Sequence, residues 1–299
     1  MKIALLIICH KNFEQINLFL DTIRHPAFTC FIHADKKTNI TDCIMCRDDV
    51  VILPIEYRTY VQWGTISLVD ASLNLLLFSN QFGQFDFFWI CSGQDFPIKP
   101  INEIVLFFEQ SPDNDYIQLT DSKNFGTHIE NAFDKRNAIY YPKILLGKNF
   151  WKKIVRRIYI YITGGNNRTF HWARRTPVNG LSFFYGSEWF CISKRTLSWI
   201  FAYLDTHPEY YQFMRNSNCP DESFFQTLIM QSPFAYKRKD YLHYIDWSEG
   251  KNSPKTLNIS DLARLKASNM LMARKFDSTL DSDVLIHLSA ESRLMDWSK

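Results

Sequence analysis

Four short polar clusters, each set between apolar segments, carry the residue types in this 299-residue chain that can do chemistry. The first is Ile32-His33-Ala34-Asp35-Lys36-Lys37, where an Asp can hold a ribose or base edge, or can cap the next element. The second is Cys91-Ser92-Gly93-Gln94-Asp95-Phe96-Pro97-Ile98-Lys99, a small-residue turn with an acid, closed by proline. Such a turn lets a ligand approach the backbone, or simply redirects the chain. The third, Asn218-Cys219-Pro220-Asp221-Glu222-Ser223-Phe224-Phe225, puts proline and two acids where a helix would begin. That is ordinary helix-start composition, and it also suits a general base kept ionised by the helix dipole. The fourth is Met272-Ala273-Arg274-Lys275-Phe276-Asp277. Its adjacent cations can clamp a diphosphate, the Arg through its fork and the Lys as a point charge, or can be a plain surface pair.

These clusters have to be positioned by regular elements. Lys2 to Cys9, Phe28 to His33, Val50 to Leu53, Asp86 to Cys91 and Tyr116 to Leu119 read as short buried strands. Between them, Asn12 to Arg24 places Phe13, Ile16, Leu20 and Ile23 at helical spacing, and Thr65 to Asn80 and Ile101 to Gln110 read as helices. Strands separated by helices imply an α/β fold with a mostly parallel sheet and helices on both faces. The ligand in such a sheet sits beyond the carboxyl ends of its strands, which directs attention to the loops after Cys9, His33, Leu53 and Cys91. The reading is one domain, 1–299, with a variable, period-less, basic-aromatic region at about 124–178.

Composition narrows the function classes. With 46% hydrophobic and 22% charged residues and a formal net charge of +3, intrinsic disorder is excluded. No apolar run approaches the roughly 18 residues of a membrane span, and no signal peptide is evident. Seven scattered cysteines point to free thiols and a cytoplasmic setting, and the lone Cys43-Ile44-Met45-Cys46 lacks the partners of a zinc site. A phosphate loop, a GxGxxG turn, a nucleophile elbow and an HExxH helix are all missing, which removes common kinase, dehydrogenase, hydrolase and zinc-protease readings. Asp113-Asn114-Asp115, after Ser111-Pro112, has a metal-site spelling but reads as a surface turn, as do Asp281 and Asp283. Lys148 to Arg175 holds eight Lys/Arg and no acid, interleaved with Phe150, Trp151, Tyr159 and Tyr161. It is either a solvated basic helix with a buried apolar face or a contact with an anionic surface, at the membrane or on a lipid diphosphate. No nucleic-acid reader motif accompanies it.

In their order the clusters resemble the core-2/I-branching N-acetylglucosaminyltransferase and peptide O-xylosyltransferase family, glycosyltransferase family 14. Phe31-Ile-His-Ala-Asp-Lys, Tyr60-Val-Gln-Trp-Gly-Thr, Trp89-Ile-Cys-Ser-Gly-Gln-Asp-Phe-Pro, Gly186-Ser-Glu-Trp-Phe, Pro220-Asp-Glu-Ser-Phe-Phe, Tyr244-Ile-Asp-Trp-Ser and Ala273-Arg-Lys-Phe-Asp carry the likeness. The resemblance implies a GT-A fold and inverting transfer from a UDP-sugar, GlcNAc or xylose above all, with no cofactor and no required metal. It makes Glu222 the catalytic base, with His10, Asp35, Tyr60, Trp63, Arg274 and Lys275 on the donor and Ser92, Asp95, Glu188 and Trp189 toward the acceptor. The implied acceptor is a saccharide or lipid-linked hydroxyl, as in a branch on a surface polysaccharide or glycolipid. His243 stands where relatives often carry Arg, which weakens or removes a second diphosphate cation. Without the anchor and disulfides of animal members, the chain reads as a bacterial, cytoplasmic enzyme, with Lys148–Arg175 as its candidate peripheral contact at the inner face of the membrane. Two alternatives stand beside this reading. One is a metal-dependent transferase using Asp113 and Asp115, and the other a non-catalytic sugar or nucleotide binder on the same scaffold.

Overall fold

The computed structural model describes residues 1–40, 43–120, 136–147, 149–163, 173–250 and 253–294. Its centre is β1 (Ile3–Cys9), whose seven residues are nearly all buried because both faces are covered. Odd positions Ile3, Leu5 and Ile7 pack with α1 (Phe13–Thr22), while Ala4 and Leu6 join the core on the opposite face, with α2 (Ser67–Phe82). A strand buried on both sides reads as a continuous apolar run, which is why the opening segment shows no alternation.

Around β1 lie β2 (Phe28–Ala34), β3 (Val50–Ile52) and β4 (Phe87–Ser92), all parallel. Among the described residues, the main sheet runs β3-β2-β1-β4-β7-β6-β8. Here β6 is Asp115–Ile117, β7 is Phe190–Ser193 and β8 is Arg238–Lys239. The departure from an all-parallel sheet is β7, antiparallel to both of its neighbours. A second sheet of three short strands, β5 (Asp95–Pro97), β10 (Met272–Arg274) and β9 (His243–Ile245), lies beside it, with β10 in the middle. The helix α3 (Ile101–Glu109) follows β5, and its Ile101, Ile104 and Phe108 join the same core as α1.

The metal-like spelling at 113–115 is put to structural use. Asp115 is fully buried and accepts from the Ser193 backbone N–H at 2.8 Å and the Thr196 hydroxyl at 2.6 Å. It thereby ties down the first turn of the next helix, Lys194–Thr206, and does not face solvent as a turn residue would. Asp113 is exposed and sits 3.9 Å from Lys237 and 4.0 Å from Arg195. Asp281 accepts from the Asp283 and Val284 backbone, capping the last helix, Asp283–Leu294.

Of the variable region, residues 124–135, 148 and 164–172 lie outside the described residues. The remainder includes a short turn at Lys143–Leu145 and the helix Phe150–Thr163. A small core of Ile139, Tyr141, Leu146 and Ala173 holds them together.

Candidate active site

A cavity of about 290 Å³ opens at the carboxyl ends of the parallel strands. Each wall comes from a different connection. Cys9, His10 and Lys11 leave β1, Asp35 leaves β2, Trp63 lies between β3 and α2, and Ser92, Gly93 and Gln94 leave β4. Because β7 runs against β4, the start of β7 reaches this end of the sheet, and it brings Glu188 and Trp189 with it. Arg274, at the end of β10, completes the lining.

Close approaches hold this geometry. A side chain on Gly186 would place its Cβ 1.9 Å from the Gln118 carbonyl oxygen, so only glycine fits ahead of Ser187 and Glu188. The Gly186 N–H donates to the Glu222 carbonyl at 2.9 Å, tying the Glu188 segment to the Glu222 turn. The Asp35 carboxylate accepts from the Lys37 N–H at 3.0 Å, closing the turn as the capping reading expects, and it also lines the cavity.

Arg274 is not a surface cation. Its side chain is 12% exposed, its Nη1 stands 3.6 Å from Asp95 Oδ1, and its guanidinium carbon lies 4.0 Å from the Trp189 ring centroid. A guanidinium held between a carboxylate and an indole is fixed in direction. Its Nε and Nη1 are buried without a hydrogen-bond partner, a costly state for donors that anionic oxygens entering the cavity would relieve. Asp95 itself is fully buried and does not line the cavity. It accepts from the Ser92 N–H and hydroxyl, both at 2.8 Å, and faces His243 Nε2 at 3.4 Å. Burial pushes the Asp95 carboxyl up, but Arg274, His243 and the Ser92 N–H outweigh it and hold it below the usual carboxylate range.

A second acidic group lies beside the Glu188 segment. Cys219 adopts a left-handed backbone, φ 52°, and turns the chain into a single 3-10 turn, Pro220–Glu222. The following α-helix, Phe224–Gln231, begins after Ser223, so Asp221 and Glu222 stand outside its first turn and the expected helix dipole does not act on them directly. Arg136 takes that place, pairing with Glu222 Oε2 at 2.6 Å. Burial raises the Glu222 carboxyl above its ordinary value, and Arg136 pulls it back toward ionisation. Asp221 is pushed up to about 7, by burial first and by the charge of Glu222 second.

Glu188 is the most perturbed carboxyl here. Its Oε2 is sealed from water with no hydrogen-bond partner. Burial, reinforced by Asp221 and opposed by Arg274, pushes it up to about 8. The native state therefore keeps a proton on Glu188 that the unfolded chain releases near 4.5. Stability should fall as pH rises from about 4.5 to about 8, and Asp221 adds a fall of the same sign. In Glu188→Gln the fall should flatten, as read from thermal midpoints across that window; midpoint curves parallel to wild type would contradict the assignment.

The remaining sequence-chosen residues are placed differently. His10, Asp35, Trp63, Ser92, Glu188, Trp189 and Arg274 are brought together around the cavity, whereas Tyr60, Asp95, Glu222 and Lys275 are not on its lining. Tyr60 is exposed beside Lys36 and lines a neighbouring hollow with Arg58 and Asp70. Lys275 turns to Ser253, with Nζ 3.4 Å from its hydroxyl. Among the described residues no cluster of three or more His, Cys, Asp or Glu side chains is arranged to hold a metal ion. Sequence reasoning passed over Arg136, which lies in the period-less region and meets Glu222 only in the fold.

A model of the Core-2/I-Branching enzyme family matches residues 3–271. Xylosyltransferase 2 of Rattus norvegicus is 24% identical over 95% of this chain and 33% of its own length. Xylosyltransferase 2 of Mus musculus matches to the same extent, and Xylosyltransferase 1 of Homo sapiens is 23% identical over 95% of this chain and 30% of its own length. The chain thus spans about a third of the length of these curated relatives.

Proposed function

The chain belongs to the Core-2/I-branching enzyme family, and from that premise we propose that it transfers a sugar from a UDP-sugar to an acceptor hydroxyl with inversion, forming a β linkage. The observation that carries this is Arg274: a buried guanidinium, fixed by Asp95 and Trp189, whose donors lack partners at the wall of a cavity of nucleotide-binding placement.

In the proposed reaction Glu222 removes the proton from the acceptor hydroxyl as its oxygen attacks the anomeric carbon. The bond from that carbon to the diphosphate breaks, and UDP leaves with the negative charge. Charge developing on the leaving group is best stabilised by preorganised donors, and Arg274 supplies them without a divalent ion. Arg136 keeps Glu222 oriented and ionised for its role as base. Asp35, with His10 and Trp63, holds the nucleoside side of the donor, while Glu188 and Trp189 meet the sugar and acceptor. The proposed donor is UDP-GlcNAc or UDP-xylose, and the proposed acceptor a saccharide or lipid-linked saccharide. Transfer should persist in EDTA; loss restored by Mn²⁺ would overturn the metal-free reading.

A thermal-shift screen of UDP-sugars tests the donor site, because a ligand that binds only the native state raises the midpoint. UDP should raise it in the wild type and in Lys275→Ala, and the shift should disappear or shrink strongly in Arg274→Ala. An equal loss in both variants would refute the distinction between the two cations. No shift with any UDP-sugar would refute the donor site.

A further inference from the structure

The helix Phe150–Thr163 turns an apolar side outward. The composition reading allowed a basic helix with its apolar face buried; in the fold Tyr159 and Ile160 pack on the small core, while a second apolar stripe is exposed. Trp151 is 69% exposed, and Val155, Ile158 and Ile162 follow it at helical spacing, all exposed. Phe150, 68% exposed, packs edge-on against Trp151 at 5.7 Å between ring centroids. Ile144, in the adjacent turn, is 74% exposed and extends the apolar surface beyond the helix. Lys153 and Arg157, one turn apart and both exposed, stand on the solvent side of the helix.

We propose that this helix is a surface anchor lying in the plane of an anionic lipid bilayer, with Trp151, Ile158 and Ile162 inserted at the headgroup boundary and Lys153 and Arg157, on its polar side, drawn by the negative surface potential. Aromatic and branched side chains on one face with cations on the opposite, polar side, on a helix too short to span, describe an interfacial helix. No described helix of the chain is long and apolar enough to cross a membrane. Charge selects the occupant. The stretch 148–175 holds no acid, so a symmetric contact with a second copy would set cation against cation, whereas an anionic lipid surface neutralises them.

The anchor also sits next to the candidate active site. The Leu146 carbonyl accepts from Lys152 Nζ at 3.2 Å and from Gln62 Nε2 at 3.0 Å. Gln62 lies between Val61 and Trp63, which line the cavity, so a helix resting on a bilayer would hold the cavity close to the lipid surface. Binding to lipid does not depend on the catalytic reading, and the two can fail separately.

The test is flotation of the full chain with phosphatidylcholine vesicles, with and without phosphatidylglycerol. The bound fraction should rise with phosphatidylglycerol and fall with added salt, since ions screen the surface attraction. Trp151→Glu with Ile158→Glu, and separately Lys153→Glu with Arg157→Glu, should each lower partitioning about tenfold or more. Both variants should keep the wild-type thermal midpoint, which shows that the fold survives. Absence of wild-type binding to phosphatidylglycerol vesicles, or binding unchanged by either pair of substitutions, would overturn the proposal. So would a dimer in sedimentation equilibrium that Trp151→Glu dissociates while the wild type ignores vesicles.

Discussion

Glu222→Gln is expected to lower the transfer rate by about 10²–10⁴-fold, the usual worth of a positioned general base, while the UDP-induced thermal shift stays intact. The substitution keeps the volume and leaves an oxygen to accept from Arg136, whose guanidinium stands 2.6 Å from the wild-type carboxylate. What it removes is the capacity to take a proton. The effect should therefore fall on turnover and leave donor affinity in place, since Glu222 lies off the cavity lining where Arg274 acts. The wild-type rate should also climb with pH as Glu222 ionises, from a value that burial has raised and Arg136 has lowered again. Turnover within tenfold of wild type would remove Glu222 from the mechanism. A lost UDP shift would instead mean that the turn at Pro220–Glu222 supports the donor site.

How much of this site could be read in advance depended on how each residue is positioned. The parallel strands were legible because doubly covered strands are uninterrupted apolar runs, and the rule that ligands sit at their carboxyl ends then located His10, Asp35 and Ser92. Glu188 and Trp189 sit at the same end for a reason the pattern hides: β7 is antiparallel, so the residues that lead into it, and not those that leave it, face the cavity. Adjacency in sequence suggests one clamp of Arg274 and Lys275, but β10 ends at Arg274 and the two side chains find different partners. Arg274 accordingly meets Asp95 and the cavity, and Lys275 meets Ser253. For Phe150–Thr163 the sequence leaves a buried apolar face and an anionic-surface contact both open, because nothing local to it records which way a helix is rolled. Arg136 was invisible for a related reason, since its partner is 86 positions away.

Asp95 illustrates the same limit with the largest expected effect on stability. The family resemblance sets it toward the acceptor, whereas in the fold it is a positioning residue beneath Ser92 and Arg274. Asp95→Ala should cost about 3–5 kcal/mol, because it strips the counter-charge from a guanidinium that is 12% exposed and leaves the Ser92 N–H unsatisfied. For a chain of this size that is a fall in the thermal midpoint on the order of ten degrees. Asp95→Asn restores the volume but not the charge, so it should lie between the two. The pH dependence has the opposite sign to that of Glu188. A carboxyl held below its unfolded value stabilises the fold above that value, and the advantage is lost as pH falls through the depressed pKa. Wild type and Asp95→Asn should therefore differ at neutral pH and converge in acid. A double-mutant cycle makes the cause explicit: Arg274→Ala should cost clearly less in the Asp95→Ala background than alone, since the uncompensated charge is then gone. Strict additivity, or a loss below about 1 kcal/mol in Asp95→Ala, would mean that the Asp95–Arg274 pair does not hold the Arg274 wall of the cavity in place.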